Sequence, residues 1–286
     1  FTTCPEDRPL VVQFCGNEPE WLLKATRLVE RDCDAVDLNL GCPQRIAKKG
    51  NYGAFLMEDP QTVYKIVKTL HENLRVPIFC KMRVWTDVEK TIQFAKMLES
   101  AGCQLLTVHG RTREMKGPKT GLCDWSIIQK VKEAVNIPVL SNGNIRHYDD
   151  VIECLRQTQC EGVMSAEGLL ANPALFSGQD IDPFTLCYEY LDICEHYPTS
   201  IVWALTHVVK ILAKLLSDEL REVLLVPRDI ESLRQAIKEV EDCIKNGTKP
   251  QLRKKVVVER EVMDSFCDTV LDAMHHADLD NNNNDI

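Results

Sequence analysis

A thiol stands between a glycine and a proline in the run Ala35-Val36-Asp37-Leu38-Asn39-Leu40-Gly41-Cys42-Pro43-Gln44. Val36, Leu38 and Leu40 alternate with Asp37 and Asn39, the period-two pattern of a strand. Gly41 and Pro43 end that strand on either side of Cys42. A cysteine just past a strand's carboxyl end is well placed for chemistry, because α/β folds build their active sites there. Free cysteine is also a common small buried hydrophobe, so the run alone leaves both roles open. Other polar residues close short apolar runs: Gln13, Lys81, His109, Asn142 and Glu167. A lysine in such a place is a fixed cation or a side chain that snorkels to solvent. A lone histidine there is a hydrogen-bonding group before it is a catalyst. Arg111, Arg113, Lys116 and Lys119 follow His109 in one stretch. It reads as a solvated loop or as a phosphate-binding one, since planar guanidinium groups pair well with phosphate.

The elements that must position these residues alternate. Apolar runs at 10–14, 35–40, 77–83, 105–110, 138–143 and 162–166 predict strands, and helical spacing fills 18–32, 60–74, 88–100, 125–135 and 148–156. A repeated βα pattern calls for a parallel sheet, and polar strand ends on one rim are the layout of a TIM barrel. A doubly wound sheet is the alternative, but no G-x-G-x-x-G turn is present. A closed barrel needs eight strands and six are legible. Beyond Pro173 the strand signal stops, and 184–196, 201–218 and 230–246 predict three helices, the last ended by Gly247. The expected organisation is a barrel domain over 1–172, a small all-helical domain over 173–247, and an acidic, disordered tail over 248–286. The tail includes the polar run from Asn281 to Asn284.

Composition narrows the class. A hydrophobic fraction of 44% and a charged fraction of 27% suit an ordinary globular protein. No apolar run is long enough for a membrane span. Thirteen cysteines are scattered and odd in number, with no C-x-x-C pair, so neither a zinc site nor a disulfide framework is indicated. Reduced thiols in a cytoplasmic or nuclear setting are expected. The net charge of −9 argues at first against a nucleic-acid partner, but residues 259–286 carry eight acidic and one basic residue, leaving only −2 for the rest.

The strip Asn39-Leu40-Gly41-Cys42-Pro43 with Gly53-Ala54-Phe55-Leu56 resembles the N-x-G-C-P signature of the dihydrouridine synthases, flavin enzymes that reduce uridines in tRNA. The flanks Thr3-Cys4-Pro5-Glu6-Asp7-Arg8-Pro9 and Val163-Met164-Ser165-Ala166-Glu167-Gly168 resemble the eukaryotic branch acting at D-loop positions 16 and 17. The likeness spans roughly residues 1–245. It implies a TIM barrel whose first two βα units precede Phe1, about 60 residues at the usual unit length. It implies flavin mononucleotide as cofactor, NADPH or NADH as reductant and the tRNA D-loop as substrate, with no metal; a monomer is expected. Hydride would reach C6 of uracil, and Cys42 would protonate C5. A cysteine's ordinary pKa of about 8.5 keeps it protonated at neutral pH yet far more acidic than serine. The resemblance assigns Gln13, Lys81, His109, Asn142, Gly143, Asn144, Ala166 and Glu167 to the flavin, and Asn39, Arg111 and Arg113 to the substrate. Many family members have Gly-Arg where Ala166-Glu167 stands, so here only backbone contacts to the flavin phosphate are expected, with Glu167 pointing away. Two other readings are a flavin barrel reducing a small pyrimidine or enone, and an inactive truncated RNA-binding form.

Overall fold

Six short strands run parallel and lie side by side in chain order in a computed structural model that describes residues 1–250. The residues fall into two units, Phe1–Ser165 and a second beginning at Ala166. In the first, β1 (Val11–Phe14), α1 (Pro19–Arg27), β2 (Ala35–Leu40), α2 (Arg45–Gly50), α3 (Pro60–Asn73) and β3 (Ile78–Arg83) are followed by α4 (Val88–Ser100), β4 (Leu105–His109), α5 (Trp125–Ala134), β5 (Val139–Asn142), α6 (Tyr148–Thr158) and β6 (Gly162–Met164). Each strand pairs with the next, so the order never reverses. A doubly wound sheet reverses at a switch point. This wall is TIM-barrel-like, with β1 and β6 as its edges among the described residues.

One face of the wall is closed by helices. Val36, Leu40, Ile78, Cys80, Met82, Leu106 and Val139 are fully buried, and Leu38 almost so. Val63, Ile66, Val67 and Leu70 of α3 complete this core at helical spacing. Fully burying each such side chain is worth about 1.5–3 kcal/mol. Helix starts follow from short polar caps: Asp59, Asp87 and Asp124 accept from the first-turn N–H groups of α3, α4 and α5. α1 is shorter than its spacing predicts. The chain turns after Arg27, exposing Leu28, and Asp34 then accepts from the Leu10 N–H at 2.6 Å, which starts β2 beside β1. After Cys42 the structure also forms α2 and a 3₁₀ turn, Gly53–Glu58, where the sequence pattern showed only a loop.

The second unit is helical: α7 (Glu167–Ala171), α8 (Pro183–His196), α9 (Ile201–Leu212), α10 (Asp218–Leu224) and α11 (Ile230–Asn246). Its own core includes Leu191, Val208, Leu212, Leu224, Leu233 and Ile237. The helix predicted over 201–218 ends at Leu212, and a further helix that the sequence pattern did not give, α10, starts at Asp218, where Ser217 accepts from the Leu220 N–H. That cap lets Leu220 and Leu224 turn into the core. The tail expected beyond residue 250 lies outside the described residues. Among the described residues no helix is long and apolar enough to cross a membrane.

Candidate active site

Strand register gathers the polar residues. Gln13 pairs with Asp37, Asn39 with Lys81, Arg83 with His109, and His109 with Asn142. Side chains alternate along a strand, so these residues share the sheet face opposite the helix-covered core. All but Asp37, which sits mid-strand, lie toward the carboxyl ends.

Asn39 holds the turn that carries Cys42. Its Oδ1 accepts from the N–H groups of Gly41 at 2.9 Å and Cys42 at 3.0 Å. Its Nδ2 donates to Gln13 Oε1 at 2.7 Å, and Gln13 Nε2 donates to Asp37 Oδ2 at 2.6 Å. From the other side, the Ala54 N–H donates to the Cys42 carbonyl at 3.0 Å. Gly53 beside it has φ +59°, and a Cβ there would lie 2.8 Å from that carbonyl. Only glycine lets the chain approach Cys42 so closely.

Arg83, buried at the end of β3, ties two loops together. Its Nε donates to the Gly41 carbonyl at 2.8 Å, and its Nη1 to the carbonyls of Thr112 and Met115 at 2.8 and 3.0 Å. Lys116 Nζ adds a bond to the Pro43 carbonyl at 2.5 Å. The Cys42 turn and the loop after β4 are thus one braced structure. Sequence reasoning did not single out Arg83 or Asp37. Both sit two residues from a chosen position, Lys81 and Asn39, so strand parity was the signal available.

The electrostatics follow from burial. Burial pushes the Asp37 carboxyl up to about 6, while the Gln13 amide and Lys81 pull it back down. Burial, then Arg83, lowers Lys81 to about 8, with Asp37 opposing, so the ammonium is mostly protonated at pH 7. Burial and the cations Arg83, Lys81 and Arg111 push His109 down to about 3. Its ring is neutral throughout the physiological range. Arg111 Nη1 lies 3.2 Å from His109 Nε2. Arginine only donates, so Nε2 accepts and the ring proton is on Nδ1.

Arg111, which the sequence leaves as a solvated or a substrate-binding arginine, turns its guanidinium to His109, to Asn144 Oδ1 at 2.5 Å and to the Gly121 carbonyl at 3.0 Å. Arg113 pairs with Glu58 at 3.4 Å and Glu114 at 3.2 Å, and stacks 5.0 Å from the Phe55 ring centre. Asn142 Nδ2 donates to the Met164 carbonyl at 2.8 Å. Gly143 has φ +115°, and a Cβ there would lie 2.7 Å from Cys123 Sγ and 3.0 Å from the His109 ring. Ala166 and Glu167 open the second unit and are exposed; Glu167 is in the first turn of α7. So Gln13, Asn39, Cys42, Lys81, His109, Arg111, Asn142, Gly143 and Asn144 belong to one strand-end rim, while Arg113 is held by Glu58 beside it.

An ionised Asp37 buried this way costs stability at neutral pH. Its folded pKa is raised, so its contribution is favourable below the unfolded value of about 3.9 and is lost as pH rises through about 6. Asp37→Asn is therefore expected to stabilise the chain by about 3 kcal/mol at pH 8, and by about half that at pH 5. Urea unfolding at the two pH values checks this; a gain that did not change with pH would mean the carboxylate is not the cause.

The fold and rim together define a parallel βα protein that presents a thiol, a partly buried cation and a neutral imidazole at its strand ends. The sequence profile of the dihydrouridine synthase family matches residues 1–272, and the chain belongs to that family. It is 49% identical over 240 residues to the NAD(P)(+) tRNA-dihydrouridine(16/17) synthase-like protein of Rattus norvegicus, covering 82% of this chain and 55% of that one. The NAD(P)(+) tRNA-dihydrouridine(16/17) synthase of Saccharomyces cerevisiae is 53% identical over 175 residues, 60% of this chain and 41% of that one. The Schizosaccharomyces pombe protein of the same name is 39% identical over 289 residues, 92% and 71% of the two chains. The chain thus spans about half the length of several curated relatives it matches.

Proposed function

We propose that the chain reduces uridine to 5,6-dihydrouridine in the D-loop of tRNA, using flavin mononucleotide and NADPH, with Cys42 as the proton donor to C5. The observation that carries this is the pairing of Asn39 with Lys81 in neighbouring strands, which brings the Cys42 turn beside a buried cation. The names of the relatives, tRNA-dihydrouridine synthases using NAD(P)(+), support the same reaction.

The donor set suits a flavin. Among the described residues the Lys81 ammonium makes no hydrogen bond, and the N–H groups of Gly143 and Asn144 donate to nothing. Lys81 and Gln13 would hold the polar edge of the ring. His109 Nδ1–H offers a neutral donor, and the Gly143–Asn144 turn offers two N–H groups to a phosphate. Ala166 and Glu167 are proposed to add backbone contacts. The bound flavin would supply the hydride for C6.

The rest falls to the chain's own groups. The Cys42 thiol gives its proton to C5 as negative charge develops there. Asn39, Gly53 and Arg83 keep the thiol-bearing turn in place, and Lys81 supplies fixed positive charge. Arg45, Lys48 and Lys49 are exposed on α2, directly after the Cys42 turn, and are proposed to meet tRNA phosphates. The helical unit beginning at Ala166 is proposed to help hold the tRNA. A small pyrimidine would need neither feature.

The test is the purified protein with added flavin mononucleotide, NADPH, and either unmodified tRNA or free uridine. Dihydrouridine is expected in tRNA alone. Affinity for tRNA should fall about 10- to 100-fold between about 50 and 200 mM salt, as expected for a few phosphate contacts. Equal turnover of free uridine would sink the tRNA assignment.

A further inference from the structure

Asp37 touches neither Cys42 nor any group assigned to the uridine, yet a hydrogen-bond chain joins it to the Cys42 turn. We propose that Asp37 is a positioning residue for Cys42, acting through the side-chain amides of Gln13 and Asn39. The deduction uses donor and acceptor types only. An ionised carboxylate can only accept, so Gln13 must turn its NH₂ toward Asp37. A planar amide that does so presents its oxygen on the other side, and Asn39 Nδ2 donates to it. Asn39 then presents Oδ1 to the N–H groups of Gly41 and Cys42, which can only donate. Each amide has one orientation in which every contact pairs a donor with an acceptor. Flipping either one sets two donors, or two acceptors, against each other.

Asp37 is only 6% exposed, and its burial pushes its carboxyl up rather than down. A residue kept for stability would not be an ionisable group placed where ionisation is costly. Its acceptor-only character is what the Gln13 amide uses. Removing that acceptor leaves the Gln13 NH₂ without a partner and the Asn39 bond free to swing. The turn carrying Cys42 loses its fixed register with the strand ends.

The catalytic arm of the test rests on the reading of Cys42 as proton donor; the chemical arm does not. The chemical arm is alkylation of Cys42 by iodoacetamide in the full chain, followed by peptide mass spectrometry. Asp37→Leu is expected to make Cys42 react severalfold faster, whereas Asp37→Asn, whose Oδ1 can still accept from Gln13, stays close to the parent. Gln13→Leu should match Asp37→Leu, and the double variant should add nothing further, because both cut the same chain. With flavin, NADPH and tRNA, Asp37→Leu should form dihydrouridine more slowly by a factor on the order of 10 to 100, the usual cost of a misplaced group. NADPH oxidation with oxygen as acceptor should fall by less than dihydrouridine formation, because Lys81, His109 and the Gly143–Asn144 turn keep their places when Gln13 loosens. The proposal is overturned if Asn and Leu at position 37 behave alike, if the two Leu effects add, or if NADPH oxidation falls as far as dihydrouridine formation. Absence of dihydrouridine with the parent protein would instead refute the proposed reaction, and alkylation would still decide the role of Asp37.

Discussion

Cys42→Ala is expected to lower dihydrouridine formation by a factor on the order of 10² to 10⁴, the usual contribution of a positioned acid. NADPH oxidation with oxygen as acceptor should be unchanged, because it needs no proton at uracil C5. Flavin binding should also survive, since Lys81, His109 and the Gly143–Asn144 turn do not depend on the Cys42 side chain. What pins the turn is backbone: the Cys42 N–H to Asn39 and the Cys42 carbonyl to the Ala54 N–H. Alanine keeps both bonds, so the variant removes the thiol and little else. Cys42→Ser should rescue little, because a hydroxyl is far too weak an acid. Product counted by mass spectrometry of digested tRNA, beside NADPH consumption, separates the two effects. Parallel losses in both would show that Cys42 supports the fold or the cofactor and donates no proton.

Lys81→Met should behave differently. Lys81 faces Asn39 across β2 and β3 and carries a charge that burial makes costly. Methionine keeps the length and the apolar stem but brings no donor. Flavin affinity should fall about 10- to 100-fold, the worth of one charged hydrogen bond in a buried site. NADPH oxidation and dihydrouridine formation should fall together, and added flavin should restore part of both. Flavin fluorescence titration gives the affinity. If binding were unaltered while dihydrouridine formation alone collapsed, Lys81 would serve the uridine and its assignment to the cofactor would fail.

The strands were legible because alternation fixes a face without knowledge of neighbours. Val36, Leu38 and Leu40 pointed one way and Asp37 and Asn39 the other, as the register bears out. The same logic reached Lys81 and His109 but stopped one parity step short at Arg83. A charged residue closing a strand reads as solvent-facing until its carbonyl partners, more than 25 residues away, are known. Loop residues were least legible. Arg111 reads from sequence as solvated or phosphate-binding, and its hydrogen bond to Asn144, 33 residues on, was not visible there. Arg113 is claimed by Glu58, 55 residues earlier. No local pattern carries such pairings. The start of α10 carried a signal in Ser217-Asp218-Glu219, a cap followed by acidic first-turn residues, but the helix predicted over 201–218 ran on past Leu212 to that cap, and α10 was missed.

The origin of the hydrogen added at C5 tests the central claim most directly. Running the reaction in deuterated water with unlabelled NADPH, on protein equilibrated in that solvent, exchanges the Cys42 thiol. Nuclear magnetic resonance of the isolated dihydrouridine should then place deuterium at C5 in the parent, whatever the label at C6, which follows the solvent-exchangeable N–H of the reduced flavin. Rapid-quench single turnovers should show Cys42→Ala forming this product slower by the factor given above. Hydrogen at C5, or a single-turnover rate that Cys42→Ala leaves unchanged, would contradict the assignment of Cys42 as the donor to C5.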